Sequence, residues 1–189
     1  MTVGRLHDIV GVPTSRATAV LAEQLGIPLL ADDFARPIDV TIDGADEVNP
    51  ELDLIKGGGG ALLREKIVAP SSHRLVIVID DSKLSARLGM RKPVLVQVVQ
   101  FGWRQQAEYL RTIGAAVTLR MQPGGAPFVT DQGDLILDCA FGPIADPVAL
   151  GAILRARAGI VEHGLFVGLT SDLIGAGVDG VRHLVPPLT

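Results

Sequence analysis

The sequence predicts an α/β protein: an open, Rossmann-like, mostly parallel sheet joined to a second, smaller split β-α-β lobe of ferredoxin-like type. Three observations predict it. The run Leu75-Val76-Ile77-Val78-Ile79 is continuously aliphatic, as suits a central parallel strand covered on both faces. Two strand-like runs end in aspartates, at Asp43 and at Asp80-Asp81, and open α/β sheets place ligands beyond the carboxyl ends of their strands. From Lys92 the order changes to strand, helix, strands, helix, strand, the signature of a split β-α-β unit. The expected division is residues 1–92 with 165–189 for the Rossmann-like domain and 93–164 for the smaller lobe.

The elements follow in order. Thr14 or Ser15 caps a helix reaching about Leu25, with Ala17, Val20, Leu21 and Leu25 on one face. Gly26 stops it, because a left-handed position after a helix costs glycine nothing. Residues 27–30 form a weak strand. Ile38, Val40 and Ile42 alternate with Asp39, Thr41 and Asp43, a half-buried strand. Residues 52–55 read as a short strand. Gly57 to Gly60 then open a helix to about Ala69, with Leu63 and Ile67 one turn apart.

In the second lobe, residues 94–99 are a strand and 103–113 a helix stopped by Gly114. Val117, Leu119 and Met121 alternate as a strand. Residues 128–130 and 135–137 flank Asp131-Gln132-Gly133, a hairpin signal. Asp146 followed by Pro147 starts a helix to about Ala158, since proline suits the first helical position. Residues 160–167 are extended, and the tail after Gly164 returns to the first lobe.

Composition excludes several classes. Of 189 residues, 48% are hydrophobic, too many for a disordered chain. A net charge of −4 supplies no global field to attract phosphates, which excludes a nucleic-acid binder driven by bulk charge. A single cysteine excludes a disulfide scaffold. Residues 1–10 have no signal-type apolar core and no aliphatic run is long enough to span a bilayer, so a cytoplasmic protein without membrane partners is expected. The four histidines show no metal spacing, and no metal site is expected. The 22 glycines beside 4% aromatics imply tight loops that approach a small ligand closely.

The chemistry concentrates in one window. Asp43-Gly44-Ala45-Asp46 sets two carboxylates at a strand end, where a tight turn can aim both at one volume. An isolated pair of this kind is more often an acidic turn whose side chains bond backbone amides. Lys56-Gly57-Gly58-Gly59-Gly60 follows. Four successive glycines are costly to order, and their use is to bring backbone N–H groups against a ligand at a helix start. Lysine precedes them and no Lys-Ser/Thr follows, so this is not a Walker loop. Glu65 lies about one turn beyond. On an ordinary helix it would be a solvated acid. Held near a lysine and partly shut from water, it can act as a general base. Lys83, after the second aspartate pair, is a candidate phosphate or hydroxyl contact, with an exposed lysine as the plain alternative.

The segments Val40-Thr41-Ile42-Asp43-Gly44-Ala45-Asp46-Glu47 and Ile55-Lys56-Gly57-Gly58-Gly59-Gly60-Ala61-Leu62-Leu63-Arg64-Glu65-Lys66-Ile67 closely resemble ribose-5-phosphate isomerases of type A. Gly11-Val12-Pro13-Thr14-Ser15, Asp80-Asp81-Ser82-Lys83, Val129-Thr130-Asp131-Gln132-Gly133 and Gly164-Leu165-Phe166 are similar too. The resemblance implies interconversion of ribose 5-phosphate and ribulose 5-phosphate through an enediolate, in the non-oxidative pentose phosphate pathway, without metal or organic cofactor. It implies Glu65 as the base moving a proton between the first two sugar carbons, and Asp43 for hydroxyl protons and ring opening. Asp46 and Lys56 would bind the sugar, with Lys56 and the loop amides stabilising oxyanion charge. Gly44, Ala45, Gly57, Gly58 and Gly59 would line the substrate, and Lys83 would help hold the phosphate. The partner is a small sugar phosphate, and the assembly a homodimer or homotetramer.

Family members carry a strand, a Gly-Thr-Gly-Ser-Thr-type phosphate loop and a helix ahead of the Val-Pro-Thr-Ser region, and these 189 residues contain none of them. The expectation is therefore a start site placed late or a truncated chain, with weak activity for the 189 residues alone. The alternatives are an inactive truncated isomerase and a non-catalytic sugar-phosphate sensor. The four residues Asp43, Asp46, Lys56 and Glu65 together argue against the sensor, which needs no base.

Overall fold

A computed structural model describes residues 7–187; the outer ends of the expected first domain, residues 1–6 and 188–189, lie outside the described residues. The chain forms two compact units, residues 1–37 and 38–189.

In the first unit, α1 (Arg16–Gln24) is capped by Ser15, whose hydroxyl accepts a hydrogen bond from the Thr18 amide at 3.0 Å. Gly26 sits past its end at φ 69°, the left-handed turn expected there. The expected strand over 27–30 is reduced to one parallel bridge, between Gly11 and Leu29. On α1 only Ala22 is buried, while Val20, Leu21 and Leu25 are all more than half exposed.

The second unit holds three sheets. The first joins β1 (Thr41–Asp43), β4 (Leu75–Asp80), β10 (Asp172–Gly177) and β11 (Gly180–Leu184) in that order. β4 runs parallel to both β1 and β10, and β11 closes one edge antiparallel. Leu75, Ile77, Ile79 and Leu173 turn to a core shared with Leu54 and Phe166. The other face is open, with Ile42 70% and Val78 47% exposed, so β4 is covered on one side and not on two. The phase of β1 is also the reverse of the half-buried pattern. Thr41 and Asp43 turn inward because each finds a polar partner there: Thr41 Oγ1 meets Ser72 Oγ at 2.6 Å, and Asp43 meets Lys56 at 2.9 Å. Those contacts hold polar residues on the inner face and send Ile42 outward.

The second sheet, β2 (Glu47–Val48), β3 (Leu54–Ile55) and β9 (Leu165–Phe166), is antiparallel and built from two-residue strands. It is anchored by Glu47, fully buried, whose carboxylate accepts hydrogen bonds from the amides of Gly89, Met90, Arg91 and Lys92 at 3.0–3.2 Å.

The third sheet has the order β6 (Ala116–Leu119), β7 (Leu135–Ala140), β5 (Val94–Val98), β8 (Ile160–His163), all antiparallel. With α3 (Trp103–Thr112) after β5 and α4 (Pro147–Arg155) after β7, this is the ferredoxin-like arrangement. Asp146 caps α4 through the Ala149 amide at 2.9 Å, and the helix ends at Arg155, short of Ala158. Leu95, Val96, Leu110, Ile136, Leu137 and Leu154 fill its core. The extended stretch 160–167 divides at Gly164 between the third and second sheets. A Cβ there would lie 2.3 Å from the Lys56 carbonyl, so only glycine lets the strands pass this closely. Gly164 also joins the sheets directly: its amide donates to Leu95 O at 2.7 Å and its carbonyl accepts from the Lys56 amide at 2.9 Å.

Candidate active site

Three elements converge at the carboxyl end of β1. The strand delivers Asp43, the turn after it Asp46, and the exit from β3 delivers Lys56. The helix α2 (Leu62–Val68) presents Glu65 in its first turn. That helix starts where it does because Gly57 and Gly60, at φ 102° and 84°, make turns that other residues rarely adopt. A Cβ on Gly57 would strike Leu62, and one on Gly60 would fall 2.4 Å from the Phe128 ring.

Lys56 is the centre of the cluster and only 4% exposed. Its Nζ lies 2.9 Å from Asp43 Oδ2 and 3.3 Å from Glu65 Oε2, and donates to the Gly44 carbonyl at 2.7 Å. It also stands 5.6 Å from the centre of the Phe166 ring, so aromatic surface closes one side. Asp46 is held apart from this group, accepting from the Gly58 amide at 2.7 Å. Burial raises the Glu65 carboxyl above its ordinary range; the Lys56 charge opposes that, and the Asp43 charge adds to it. Glu65 Oε2 is buried and ion-paired with Lys56. A buried carboxylate oxygen beside an ammonium is an apt proton acceptor.

Asp43, Lys56 and Glu65 are thus brought together, with Gly44 bonded to Lys56 and Asp46 bonded to Gly58; Ala45 packs on the hydrophobic core, Gly57 is buried, and Gly58 and Gly59 are exposed. Lys83 is not in this group. It ends the short 3-10 turn after β4, and its charge acts on Asp80. No group of three or more metal-ligating side chains is gathered among the described residues.

Sequence reasoning missed several neighbours. Phe166, read only as part of a resembling motif, walls the lysine. Lys66, beside Glu65, is buried and donates to Glu162 Oε1 at 3.0 Å and to the His163 carbonyl. Burial pulls its ammonium down to about 8, against the Glu162 charge that supports it. Arg120, just after β6, pairs with Asp138 and reaches the glycine loop. No local pattern marks these contacts: Arg120 reaches the glycine loop across 62 and 63 positions of chain, and Lys66 finds Glu162 and His163 across 96 and 97.

A largely shielded carboxylate beside a buried ammonium, at the strand ends of an open α/β sheet with a ferredoxin-like lobe, is an arrangement suited to an enzyme of acid–base chemistry. Residues 10–180 match the family described as ribose 5-phosphate isomerase A (phosphoriboisomerase A). The chain belongs to this family. It is 60% identical over 181 residues to ribose-5-phosphate isomerase A of Chloroflexus aurantiacus, covering 96% of this chain and 76% of that protein. It is 53% identical to the protein of the same name from Roseiflexus sp. (strain RS-1), covering 97% and 79%. Among solved structures, ribose 5-phosphate isomerase from Plasmodium falciparum superposes with a TM-score of 0.93 at 40% identity, over 98% of this chain and 81% of that one. A D-ribose-5-phosphate isomerase in complex with phospho-erythronic acid also reaches 0.93, at 37% identity, over 96% and 80%.

Proposed function

We propose that this chain interconverts ribose 5-phosphate and ribulose 5-phosphate, with Glu65 as the base. The observation that carries the reading is the buried Oε2 of Glu65, 3.3 Å from Lys56 Nζ. With the sugar ring opened, the Glu65 carboxylate takes the proton from C2. The C2–H electron pair becomes the C1–C2 double bond of an enediolate, and the carbonyl electrons move onto O1. Lys56 and the loop amides stabilise that charge, and their donors are fixed before the reaction begins. Asp43 relays the hydroxyl proton from O2 to O1. Glu65 then returns its proton to C1, leaving the ketose. Asp46, Gly44, Ala45, Gly57, Gly58 and Gly59 hold the sugar, and Lys83 contributes to the phosphate end. A sensor would have no use for a shielded carboxylate whose proton affinity burial has raised.

The resemblance implies a strand, a Gly-Thr-Gly-Ser-Thr-type loop and a helix as part of the phosphate grip. Kinetics on this chain, beside a version carrying such a strand, loop and helix at its N-terminus, test the whole reading. The extended form is expected to isomerise ribose 5-phosphate with a KM at least about tenfold lower than the 189-residue chain. In that extended form, Glu65→Gln lowers kcat by about 10²–10⁴ and leaves KM within a few-fold. An unchanged kcat in Glu65→Gln would overturn the assignment of the base. The lobe 93–164 is proposed to serve this site by supporting the glycine loop, and the assembly is proposed to be a homodimer or homotetramer in the cytoplasm.

A further inference from the structure

Arg120 lies in the smaller lobe, outside every residue discussed above as acting on substrate. Its guanidinium is gripped by Asp138: Nε donates to Oδ2 at 3.2 Å and Nη2 to Oδ1 at 2.5 Å, a two-point pairing that fixes the plane of the group. The remaining nitrogen, Nη1, donates to two successive carbonyls of the glycine loop, Gly57 O at 3.2 Å and Gly58 O at 2.9 Å. Both Arg120 and Asp138 are about four-fifths buried. The four-glycine loop has no side chains, and its own turn bond, from the Gly60 amide to the Gly57 carbonyl at 2.8 Å, reaches only the first of these carbonyls, so the Gly58 carbonyl is left to Arg120.

The consequence follows from peptide geometry. In a trans peptide the C=O of one residue and the N–H of the next point in opposite directions, and the described chain contains no cis bond. With the Gly57 carbonyl turned to Arg120, the Gly58 amide must point away from it, and it does, meeting Asp46 Oδ2 at 2.7 Å. By the same rule the Gly58 carbonyl, also on Arg120, turns the Gly59 amide away from the guanidinium. The volume beyond Gly59 is open: a Cβ there would meet nothing within 4 Å.

We propose that Arg120, set by Asp138, is a positioning residue that orients the peptide planes of residues 57–59, so that the Gly58 amide holds Asp46 and the Gly59 amide is presented as a donor to the substrate oxyanion. This rests on the isomerase reading for the identity of the anion, but not for the orientation of the loop. Lysine cannot replace arginine here, because one ammonium cannot pair with a carboxylate at two points in a plane while also reaching two carbonyls.

The test uses Arg120→Ala and Arg120→Lys in the extended chain, with two readouts. Hydrogen exchange of peptides covering 57–60 is expected to speed up at least tenfold in both variants, while exchange in β4 and β5 stays as in the parent. In steady-state kinetics, kcat is expected to fall at least tenfold with KM changed less than threefold, and millimolar methylguanidinium is expected to restore part of kcat to Arg120→Ala but not to Arg120→Lys. Unchanged exchange at 57–60, or unchanged kcat in an active parent, overturns the proposal. An inactive parent whose Arg120→Ala variant still loses protection at 57–60 overturns the isomerase reading and the oxyanion role, and leaves the orienting contact standing.

Discussion

Lys56 gathers Asp43 and Glu65 around a single ammonium, and that arrangement has measurable consequences residue by residue. Burial raises the Glu65 carboxyl above its ordinary value of 4.5; the Lys56 ammonium 3.3 Å away opposes the rise, and the Asp43 charge on the same lysine adds to it. A carboxyl raised in the folded state binds its proton more readily folded than unfolded. Its ionisation therefore costs stability once the pH exceeds the folded value, and that cost is absent below the ordinary one. Glu65→Gln is expected to keep or raise Tm at pH 7 to 8, with the difference shrinking toward pH 4. Thermal melts across that range check this, and a Tm lowered at pH 7 would contradict it. Catalysis runs the other way: kcat/KM should fall as pH drops through the raised Glu65 value, at a pH above 4.5. At this scale much was legible. Asp43, Asp46, Lys56 and Glu65 are polar residues spaced around a strand end and a glycine run, and that spacing is itself the signal. Phe166 and Arg120 were not, because a lone aromatic and a lone arginine reach the site only through tertiary contact.

Among the elements, the glycine loop and the Glu47 anchor set the site's shape, and their substitutions separate folding from function. Gly59 has ordinary backbone geometry and open space beyond it, so Gly59→Ala should leave Tm unchanged. If substrate rests on that loop, the same methyl should raise KM several-fold in steady-state kinetics. Gly58→Ala is different, since a Cβ there would lie 2.4 Å from Asp46 Oδ1, and it should disturb Asp46 even without substrate. Glu47 accepts four backbone N–H groups while fully buried. Glu47→Ala leaves these donors without an acceptor, and at about 1–3 kcal/mol for each unsatisfied group the loss in stability should be at least about 3 kcal/mol by urea denaturation. Loss of under 1 kcal/mol would show that water replaces the carboxylate. The helices were readable from their caps, as Ser15 and Asp146 show. In the second sheet β3 and β9 fall inside the expected strands 52–55 and 160–167, whereas β2, two residues beside the aspartate turn, carries no period to announce it. The phase of β1 was inverted because the bonds of Thr41 and Asp43 outweigh the burial of Ile42.

Over the whole molecule, residues from more than one sheet of the 38–189 unit meet at the glycine loop. The Rossmann-like sheet supplies Asp43 at its strand ends, and the ferredoxin-like lobe reaches the glycine loop through Arg120 and Phe128. The fold class was legible because the aliphatic run 75–79 is a parallel strand and the elements after Lys92 follow the strand, helix, strand, strand, helix, strand order of a ferredoxin-like sheet. The open sheet face was not, because a continuous aliphatic run such as 75–79 reads the same whether one or both faces are covered. That face exposes Ile42 and Val78, and exposed aliphatic surface of this kind favours association. Replacing both with threonine should reduce dye binding by the 189-residue chain in an ANS titration; unchanged binding would place the dye elsewhere. Proton transfer by Glu65 between two carbons of the sugar can be followed by proton NMR of ribose 5-phosphate in D₂O with the extended chain and its Glu65→Gln variant. The parent is expected to yield ribulose 5-phosphate carrying solvent deuterium at C1 and the variant neither product nor exchange, whereas exchange at the parent's rate in Glu65→Gln would rule Glu65 out as the base.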